Sequence, residues 1–367
     1  MKPPTVKPVE PADSPSLPSV QQSLAARAGS ATRSRVLATI VSYEPDRDAL
    51  GHLVETLLAG GIDVLIVDNS ESESGRVSAQ AVAAAFGADF IGNPLNIGVA
   101  AAQNVGLRLA RERGLPYVLL LDQDSTLQVD TVERLVAALV RLREAGEPAA
   151  AVGASFVDPR SGYQAPFAQL RHVRMNKLWP TPGAPAECDV LISSGCLLAL
   201  DAVERIGLLD ESLFIDYVDF EWCLRAQSAG YKLFGVAEAT MDHTIGDSSI
   251  MVLGRVITLH SPVRNYYFIR NALLFARKPY LTLRWRIHLL YRVVAQFALF
   301  GLLCPQRLRR TGWMLRGLWD GALGRAGRLG GAAGLKSLRP QWKVTRPAAS
   351  AATTEVNAER RLPLAVE

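Results

Sequence analysis

The sequence predicts an α/β fold in which short apolar strands alternate with helices around a largely parallel sheet. The strands are predicted from short apolar runs with no polar face, which is typical of strands covered by helices on both sides. Three of these runs end directly in polar clusters, at Ser42-Tyr43, Asp68-Asn69-Ser70 and Asp122-Gln123-Asp124. Ligands of such sheets bind beyond the carboxyl ends of the strands, so the clusters predict one binding site.

The elements of the first half follow in order along the chain. The first strand is predicted at 36–41, where the apolar run stops at a Ser-Tyr-Glu-Pro loop. A helix follows, because apolar residues recur three and four positions apart from Leu50 to Leu58. The same alternation predicts strands at 64–67, 88–91 and 117–121 and helices at 79–86, 98–113 and 129–145.

The second half is less regular. Prolines between 159 and 185 mark loops, and long arginine-rich helices are predicted after Pro262. We therefore predict four regions: a disordered lead-in at 1–34, an α/β domain at 35–260, a basic helical segment at 261–346 and a disordered tail at 347–367.

The net charge of +5 in 367 residues conceals an uneven distribution. Residues 35–263 carry 17 basic and 29 acidic side chains, whereas residues 264–346 carry 17 basic side chains and one acidic side chain, Asp320. A strongly basic segment is compatible with nucleic acid or an anionic membrane as a partner. Its apolar run at 293–304 spans only about 18 Å as a helix, which predicts a helix lying in the membrane interface rather than one that crosses the bilayer. A buried packing helix is the alternative.

The four cysteines have neither disulfide-framework nor zinc-ligand spacing, so free buried thiols in a reducing cytosol are expected. No signal peptide is visible at the N-terminus. The predicted location is therefore cytoplasmic and peripheral, at the inner face of the plasma membrane.

Asp122 and Asp124 flank one residue at the end of a predicted strand. Two carboxylates at this spacing can reach one point in space, and hard oxygen ligands suit Mg²⁺ or Mn²⁺. The same residues could instead form a turn before the next helix. Their position at a strand end favours the metal site.

Three further groups have a chemical and a structural interpretation. Asp219 lies among aromatic residues at the start of a predicted helix, where a carboxylate is either a cap or a base poised to accept a proton. His243 could complete a metal site or be structural. Arg264 and Arg270 could grip a diphosphate or simply begin the basic helix.

Together these residues resemble the inverting glycosyltransferases of family 2, which have the GT-A fold, a nucleotide-binding domain with a mixed sheet. The bacterial L-rhamnosyltransferases are the most similar branch. The resemblance covers about 35–330 and depends on an ordered series of motifs: Val-Ser-Tyr at 41–43, Val-Asp-Asn-Ser at 67–70, Asn-Ile-Gly-Val-Ala-Ala-Ala-Gln-Asn at 96–104, Leu-Leu-Asp-Gln-Asp-Ser at 120–125, Ser-Ser-Gly-Cys at 193–196, Leu-Phe-Ile-Asp-Tyr-Val-Asp-Phe-Glu-Trp at 213–222, His243, the segment 264–271 and Gly-Leu-Trp-Asp-Gly at 317–321.

The resemblance implies metal-dependent transfer of L-rhamnose from dTDP-L-rhamnose, with inversion, to a lipid-linked or glycolipid acceptor in surface polysaccharide synthesis. It implies Asp219 as the general base, although Val218 replaces the glutamate that usually precedes it, as in the rhamnosyltransferase branch. It also implies Asp122, Asp124 and His243 as metal ligands. The implied donor-binding residues are Tyr43, Asp68, Asn96, Asn104 and Asp122, with Arg264 and Arg270 assisting at the diphosphate.

Three alternatives remain at this point. The chain could add the second rhamnose to a mono-rhamnolipid, since enzymes of that kind share the 119–125 and 193–198 motifs and a Trp-Asp-Gly stretch. A nucleotidyltransferase would need a glycine-rich basic loop near 42–50, which the sequence lacks. A nucleic-acid or membrane-binding module without catalytic activity would leave the strand-end carboxylates unexplained, so no nucleic-acid partner is expected.

Overall fold

The structure is a computed structural model that describes residues 35–158, 163–172, 174–243, 248–252, 255–330 and 344–345. The predicted disorder at 1–34 and 347–367 lies outside the described residues. The helices are α1 (Arg47–Ala59), α2 (Glu73–Phe86), α3 (Val99–Glu112), α4 (Thr131–Glu144), α5 (Leu200–Ile206), α6 (Val218–Ser228), α7 (Pro262–Ala276), α8 (Leu283–Ala298) and α9 (Arg307–Ala322). The strands are β1 (Val36–Ser42), β2 (Asp63–Asp68), β3 (Asp89–Gly92), β4 (Tyr117–Asp122), β5 (Ser125–Leu127), β6 (Ala149–Asp158), β7 (Tyr163–Gln164), β8 (Phe167–Arg171), β9 (Arg174–Leu178), β10 (Ala186–Cys188), β11 (Cys196–Ala199), β12 (Lys232–His243), β13 (Ser248–Val252) and β14 (Arg255–Leu259).

A single mixed sheet forms the centre of the fold, with the order β10-β12-β6-β11-β4-β1-β2-β3. Strands β1 to β4 run parallel, and β11 is antiparallel to both of its neighbours, β4 and β6. The predicted α/β fold with a mixed sheet is confirmed. The insertion of β11 between two strands of the opposite direction depends on pairing between distant segments, which local sequence patterns do not encode.

The strands and helices of the first half lie close to their predicted positions, because their apolar residues are buried in the core. Helix α2 begins six residues earlier than its apolar residues predict, at Glu73. Its first turn is polar and is capped by Ser72, whose side chain accepts a hydrogen bond from the Gly75 N–H. A cap of this kind starts a helix before any apolar residue contacts the core.

The apolar helix near the C-terminus is longer than predicted. Helix α8 continues without a break into a π-helical turn, giving one segment, Leu283–Leu303, of 21 residues. At 1.5 Å per residue this segment is about 31 Å long. The helix begins well before the twelve-residue apolar run from which the interfacial position is predicted, so its length would also allow a span. The interfacial position stays a prediction. By length and composition alone, it is the one candidate membrane span among the described residues, and 22% of its most apolar window is buried.

The inner face of α8 packs on the α/β body. Trp285, Leu289 and Val293 are buried there, and the Trp285 ring meets the Phe220 ring edge-on with 6.5 Å between centroids. The proposed boundary near residue 260 stays a prediction. The prediction of free buried cysteines is confirmed for all four.

Candidate active site

The carboxyl ends of β1, β2 and β4 lie side by side and bring the predicted polar clusters together. In the sheet, Ser42 pairs with Asp68, and Val41 pairs with Asp122. Parallel strands in neighbouring positions force this convergence. The three clusters that the sequence separates by 26 to 80 positions therefore line one edge.

Asp68 lies fully buried at this edge. Its Oδ1 accepts hydrogen bonds from the hydroxyls of Ser42 and Ser70, both at 2.8 Å. Its Oδ2 is buried and has no hydrogen-bond partner among the described residues. Burial raises the pKa of Asp68 despite the two hydroxyl donors. One acceptor atom at the end of β2 thus remains available to a donor group.

Tyr43 follows β1 and is held by the loop after β4. Its N–H donates to Gln123 Oε1 at 2.7 Å, and Gln123 Nε2 donates back to the Tyr43 carbonyl at 3.1 Å. The residue remains 46% exposed. Partial burial and the nearby Glu71 and Glu44 raise the pKa of Tyr43. The reciprocal bonds join the backbone of Tyr43 to the Asp122-Gln123-Asp124 turn.

Asn96 shapes the loop that leads into α3. Its Oδ1 accepts the Gly98 N–H at 2.9 Å. Gly98 has a φ of 87°, and a Cβ there would lie 2.6 Å from both the ring and the carbonyl oxygen of Phe214. The Val99 N–H donates to that same carbonyl at 2.8 Å. The loop containing Asn96 is thereby joined to the segment that precedes Asp219.

Asn104 contacts the chain between α5 and α6. It is fully buried in α3, and its amide exchanges hydrogen bonds with the backbone of Leu209 and donates to Glu211 Oε1. These contacts hold the chain that leads to α6. Nucleotide binding by Asn104 stays a prediction, and its described contacts are structural.

Asp122 and Asp124 lie where β4 ends, Asp122 partly buried and Asp124 exposed. The Asp122 N–H donates to Ser194 Oγ at 3.2 Å, and Ser194 and Ser125 share a hydroxyl contact at 2.5 Å. The turn is therefore braced by the Ser-Ser-Gly-Cys motif. In the antiparallel pairing of β5 with β12, His243 lies opposite Ser125, so its backbone is one residue from Asp124. The His243 side chain lies outside the described residues.

A divalent cation fits the donor set of this turn. Hard carboxylate oxygens at a strand end are the ligands that Mg²⁺ and Mn²⁺ prefer. The negative charge of Asp122 and Asp216 also raises the pKa of Asp219, so these carboxylates crowd one region. A cation would relieve that repulsion. Among the side chains that the structure describes, no group of three or more metal-binding residues forms a complete site.

Asp219 lies in the first turn of α6, partly exposed at the site. Its Oδ1 accepts the N–H of Phe220 at 2.9 Å. Burial, with a smaller contribution from Asp216 and Asp122, raises its pKa to about 6. A carboxylate with this pKa is mostly ionised at neutral pH yet more basic than an ordinary aspartate, which suits a proton acceptor.

The segment before Asp219 has an unusual backbone. Phe214, Asp216 and Tyr217 all have positive φ values, between 63° and 66°. Such values are costly for residues with large side chains and persist only when neighbouring structure enforces them. We refer to residues 213–217 as the base loop.

Helix α7 supplies the groups that hold the base loop. The Asn271 Nδ2 donates to the carbonyls of Leu213 at 2.8 Å, Ile215 at 2.6 Å and Asp216 at 3.0 Å. The Arg264 Nε donates to Asp216 Oδ1 at 3.2 Å. The sequence assigns the 264–271 segment to the predicted site but does not predict these contacts. Hydrogen bonds to backbone carbonyls leave no signal in the pattern of side chains.

Arg270 is almost fully buried. Its guanidinium donates to the carbonyls of Leu213 and Gly327, and it lies 4.9 Å from the ring centroid of Tyr267. Its described contacts therefore support the base loop. A role for Arg270 at the donor diphosphate stays a prediction.

Arg328 is a cation at this edge that the sequence did not single out. Its guanidinium pairs with Glu71 and donates to the Asn96 carbonyl at 3.4 Å, and its charge acts to lower the pKa of Tyr43. It is more than 200 residues away from these partners in the chain. No local motif could have placed it there.

Comparisons with known proteins agree with this geometry. Residues 39–181 match the family described as Glycosyl transferase family 2. The chain is 33% identical over 252 residues to the dTDP-rhamnosyl transferase RfbF of Shigella flexneri. The aligned residues cover 68% of this chain and 82% of that protein. The chain belongs to glycosyltransferase family 2.

The predicted enzyme class, a glycosyltransferase, is thereby confirmed, as is the resemblance to bacterial rhamnosyltransferases. Two solved structures are also similar to this glycosyltransferase. One is the mannosyltransferase PcManGT from Pyrobaculum calidifontis in complex with GDP-Man and Mn²⁺, with a TM-score of 0.48, 14% identity, and coverage of 82% of this chain and 78% of that one. The other is S. aureus TarS 1-349 in complex with UDP-GlcNAc, with a TM-score of 0.49, 14% identity, and coverage of 79% and 81%.

Proposed function

We propose that this glycosyltransferase transfers L-rhamnose from dTDP-L-rhamnose, with inversion, to a membrane-borne acceptor in surface polysaccharide synthesis. The observation that carries the proposal is the edge of the sheet where Asp68 and Asp122 end the parallel strands that flank β1, with Asp219 near enough to Asp122 for that charge to contribute to its raised pKa. The identity to a dTDP-rhamnosyl transferase over most of the chain supports the donor.

The donor is assigned to the edge formed by β1, β2 and β4. The exposed ring of Tyr43 offers a surface for a base to stack on, and the unpartnered Oδ2 of Asp68 offers an acceptor for an N–H of that base. Asn96 shapes the loop beside them. The diphosphate would then lie towards Asp122 and Asp124, with Arg264 beside the base loop.

Asp122 and Asp124 would hold the divalent cation, with His243 as a further ligand. When bound, Mg²⁺ or Mn²⁺ supplies positive charge that neutralises the departing diphosphate. The rest of the chemistry falls to the chain's own residues. Tyr43 and Asp68 orient the donor, and the base loop sets the position of Asp219.

Asp219 is assigned as the general base. In this mechanism its carboxylate accepts the proton from the acceptor hydroxyl as that oxygen attacks the sugar carbon. Attack from the face opposite the leaving group inverts the anomeric centre and needs no covalent enzyme intermediate. Only one carboxylate with basic character is required, which is consistent with Val218 in place of a second acid.

A nucleotide-sugar panel tests the donor and the metal together. We expect purified enzyme with Mg²⁺ or Mn²⁺ to hydrolyse or bind dTDP-L-rhamnose in preference to UDP-glucose, UDP-GlcNAc and GDP-mannose. Turnover should fall to background in EDTA and return when the metal is restored in excess. Full activity in EDTA would rule out the metal, and preference for another nucleotide sugar would rule out the donor.

The outer face of α8 supports the proposed membrane contact. Exposed apolar residues recur there three and four positions apart: Leu283, Ile287, Leu290, Tyr291 and Val294. Arg284 and Arg286 lie at the same end of the helix and are also exposed. An apolar stripe beside arginines suits a helix that lies on an anionic bilayer. We propose that this stripe is the contact surface of a peripheral protein at the inner face of the plasma membrane.

Vesicle binding tests this surface. The enzyme should co-sediment with vesicles that contain phosphatidylglycerol, more weakly with neutral vesicles, and less as salt rises. Leu290→Glu combined with Val294→Glu should abolish sedimentation, because both charges would enter the apolar stripe. Val77→Glu is the matched control, since Val77 is 58% exposed on α2, outside the stripe. Equal binding of all three proteins would contradict the assignment.

A further inference from the structure

A cavity of about 380 Å³ lies next to α6, the helix that carries Asp219, between the β8–β9 hairpin and the inner face of α8. Its walls include Phe220, which follows Asp219 directly, together with Lys177 from β9 and His288 and Arg292 from α8. The cavity therefore lies beside the residue assigned as the base. It is separate from the edge assigned to the donor, since none of the donor-binding residues lines it.

Arg292 is held in this cavity in an unusual way. Its guanidinium lies over three aromatic rings, 5.2 Å from the centroid of Tyr217, 5.5 Å from Phe220 and 4.8 Å from Phe268. Within the part of the chain that the structure describes, no carboxylate forms an ion pair with it. Aromatic faces orient a guanidinium without occupying its N–H donors, so those donors remain available to an anion.

The charge of both walls favours an anion. The segment 163–178, which contains the β8–β9 hairpin, carries Arg171, Arg174 and Lys177 and no acidic residue. Helix α8 carries three arginines and no acidic residue. The residues that line the cavity include no aspartate or glutamate. Lys177 and Arg292 are thus cations on facing walls of a cavity whose lining has no acidic residue, which raises the local affinity for phosphate groups.

The position of α8 indicates the source of the anion. Its outer face is the exposed apolar stripe, whereas its inner face carries His288 and Arg292 into the cavity. A group bound at Arg292 would therefore lie one helix thickness, about 10 Å, from the surface assigned to the bilayer. A headgroup attached to a membrane-anchored chain could occupy the cavity while its apolar chain stayed in the lipid.

We propose that this cavity is an acceptor subsite that binds the phosphate or diphosphate of a lipid-linked acceptor through Arg292 and Lys177. The subsite rests on the proposed function, because it would place the acceptor sugar beside Asp219. It assigns a role to the inner face of α8 that membrane binding alone does not explain.

Calorimetric titration with farnesyl diphosphate, a short lipid diphosphate, tests the subsite in the full-length enzyme. Saturating dTDP and Mg²⁺ occupy the donor edge, so any further binding reports a second site. We expect farnesyl diphosphate to bind at least tenfold more tightly than farnesol and than inorganic diphosphate. Equal affinity for farnesol would overturn the anion assignment, and equal affinity for inorganic diphosphate would overturn the lipid-linked source. Tighter binding of a mono-rhamnolipid, whose anion is a carboxylate, would overturn the phosphate class.

Variants of Arg292 sharpen the test. Arg292→Met retains an apolar stem on the aromatic rings but loses the charge, and it should weaken farnesyl diphosphate binding about tenfold or more. Arg292→Lys should retain most of the affinity, which separates loss of charge from misfolding. Arg141→Met removes the same charge at a distant exposed position of α4 and should leave binding unchanged. Wild-type affinity in Arg292→Met would overturn the proposal. The titration involves no turnover, so absence of farnesyl diphosphate binding would leave the assigned donor unchanged. Conversely, preference for another nucleotide sugar in the donor panel would leave the acceptor subsite unchanged.

Discussion

Replacing Asp219 with asparagine is expected to lower kcat by about 10²–10⁴-fold, which is the usual contribution of a general base. The amide preserves the size of the side chain and can still accept the Phe220 N–H that Asp219 Oδ1 now accepts. Donor binding should therefore change little, and dTDP titration of the variant checks this. A variant with near-normal turnover would remove Asp219 from the mechanism.

The pH profile gives a second measurement of the same residue. Because burial raises the pKa of Asp219 to about 6, kcat/KM should rise about tenfold per pH unit below 6 and level off above it. In Asp219→Asn, the residual activity should lose this dependence. A wild-type profile that is flat between pH 5 and 8 would contradict the assignment.

The raised pKa also has a consequence for stability. The folded state holds the Asp219 proton more tightly than the unfolded state, so ionisation in the folded protein lowers the free energy of unfolding as pH rises from about 4 to about 6. Above pH 6 the ionised Asp219 lowers the free energy of unfolding by its full amount, up to about 3 kcal/mol for a pKa shift of this size. Asp219→Asn should therefore be more stable than wild type at pH 7.5 while being nearly inactive. Urea unfolding at pH 4 and pH 7.5 would measure the difference, which should shrink at pH 4.

Asn271→Ala is expected to lower kcat by about 10- to 100-fold while leaving the KM for donor within about threefold. The substitution removes the amide that donates to three carbonyls of the base loop, whose backbone has three residues with positive φ. Without those bonds the loop can relax towards negative φ and displace Asp219. The variant should also lose about 2–4 kcal/mol of stability, because buried carbonyls would be left without donors.

A matched control separates this positioning role from a loss of stability. Asn265 lies on the same helix, is also buried, and accepts a hydrogen bond from Arg310 Nη1 at 2.8 Å, with no described bond to the base loop. Asn265→Ala should lower the unfolding free energy but keep kcat within about twofold. If both variants lost kcat equally at a temperature where both are folded, the positioning role of Asn271 would be refuted.

The strand-end site illustrates what local sequence can predict. Continuous apolar runs placed β1, β2 and β4, and a parallel α/β sheet brings the residues after those strands to one edge. The sequence alone therefore groups Ser42, Asp68 and Asp122. By contrast, β11 lies antiparallel between β4 and β6, and no periodic pattern specifies which distant strands it joins.

Residues that act through the backbone were harder to interpret from sequence. Asn104 and Arg270 belong to motifs of a nucleotide-sugar enzyme, yet their described hydrogen bonds reach the segment around the base loop. Arg292 lies in a basic apolar helix for which the sequence leaves two interpretations, a membrane surface and a buried packing helix. Its inward position depends on which face of α8 packs against α6. Because both faces of that helix carry arginines, the sequence does not indicate which arginine points inward.

The sequence by itself determined the α/β fold, the strand-end acids and the family, because apolar strands and ordered motifs are local properties. Only the tertiary structure decided which residues after Pro262 contact the candidate active site. In the folded chain, Asn271 donates hydrogen bonds to the base loop, Arg328 donates to the Asn96 carbonyl, and Arg292 lies over the Phe220 ring in the cavity. Each of these contacts joins segments more than 50 residues apart, and the packing of whole helices against the sheet fixes their geometry.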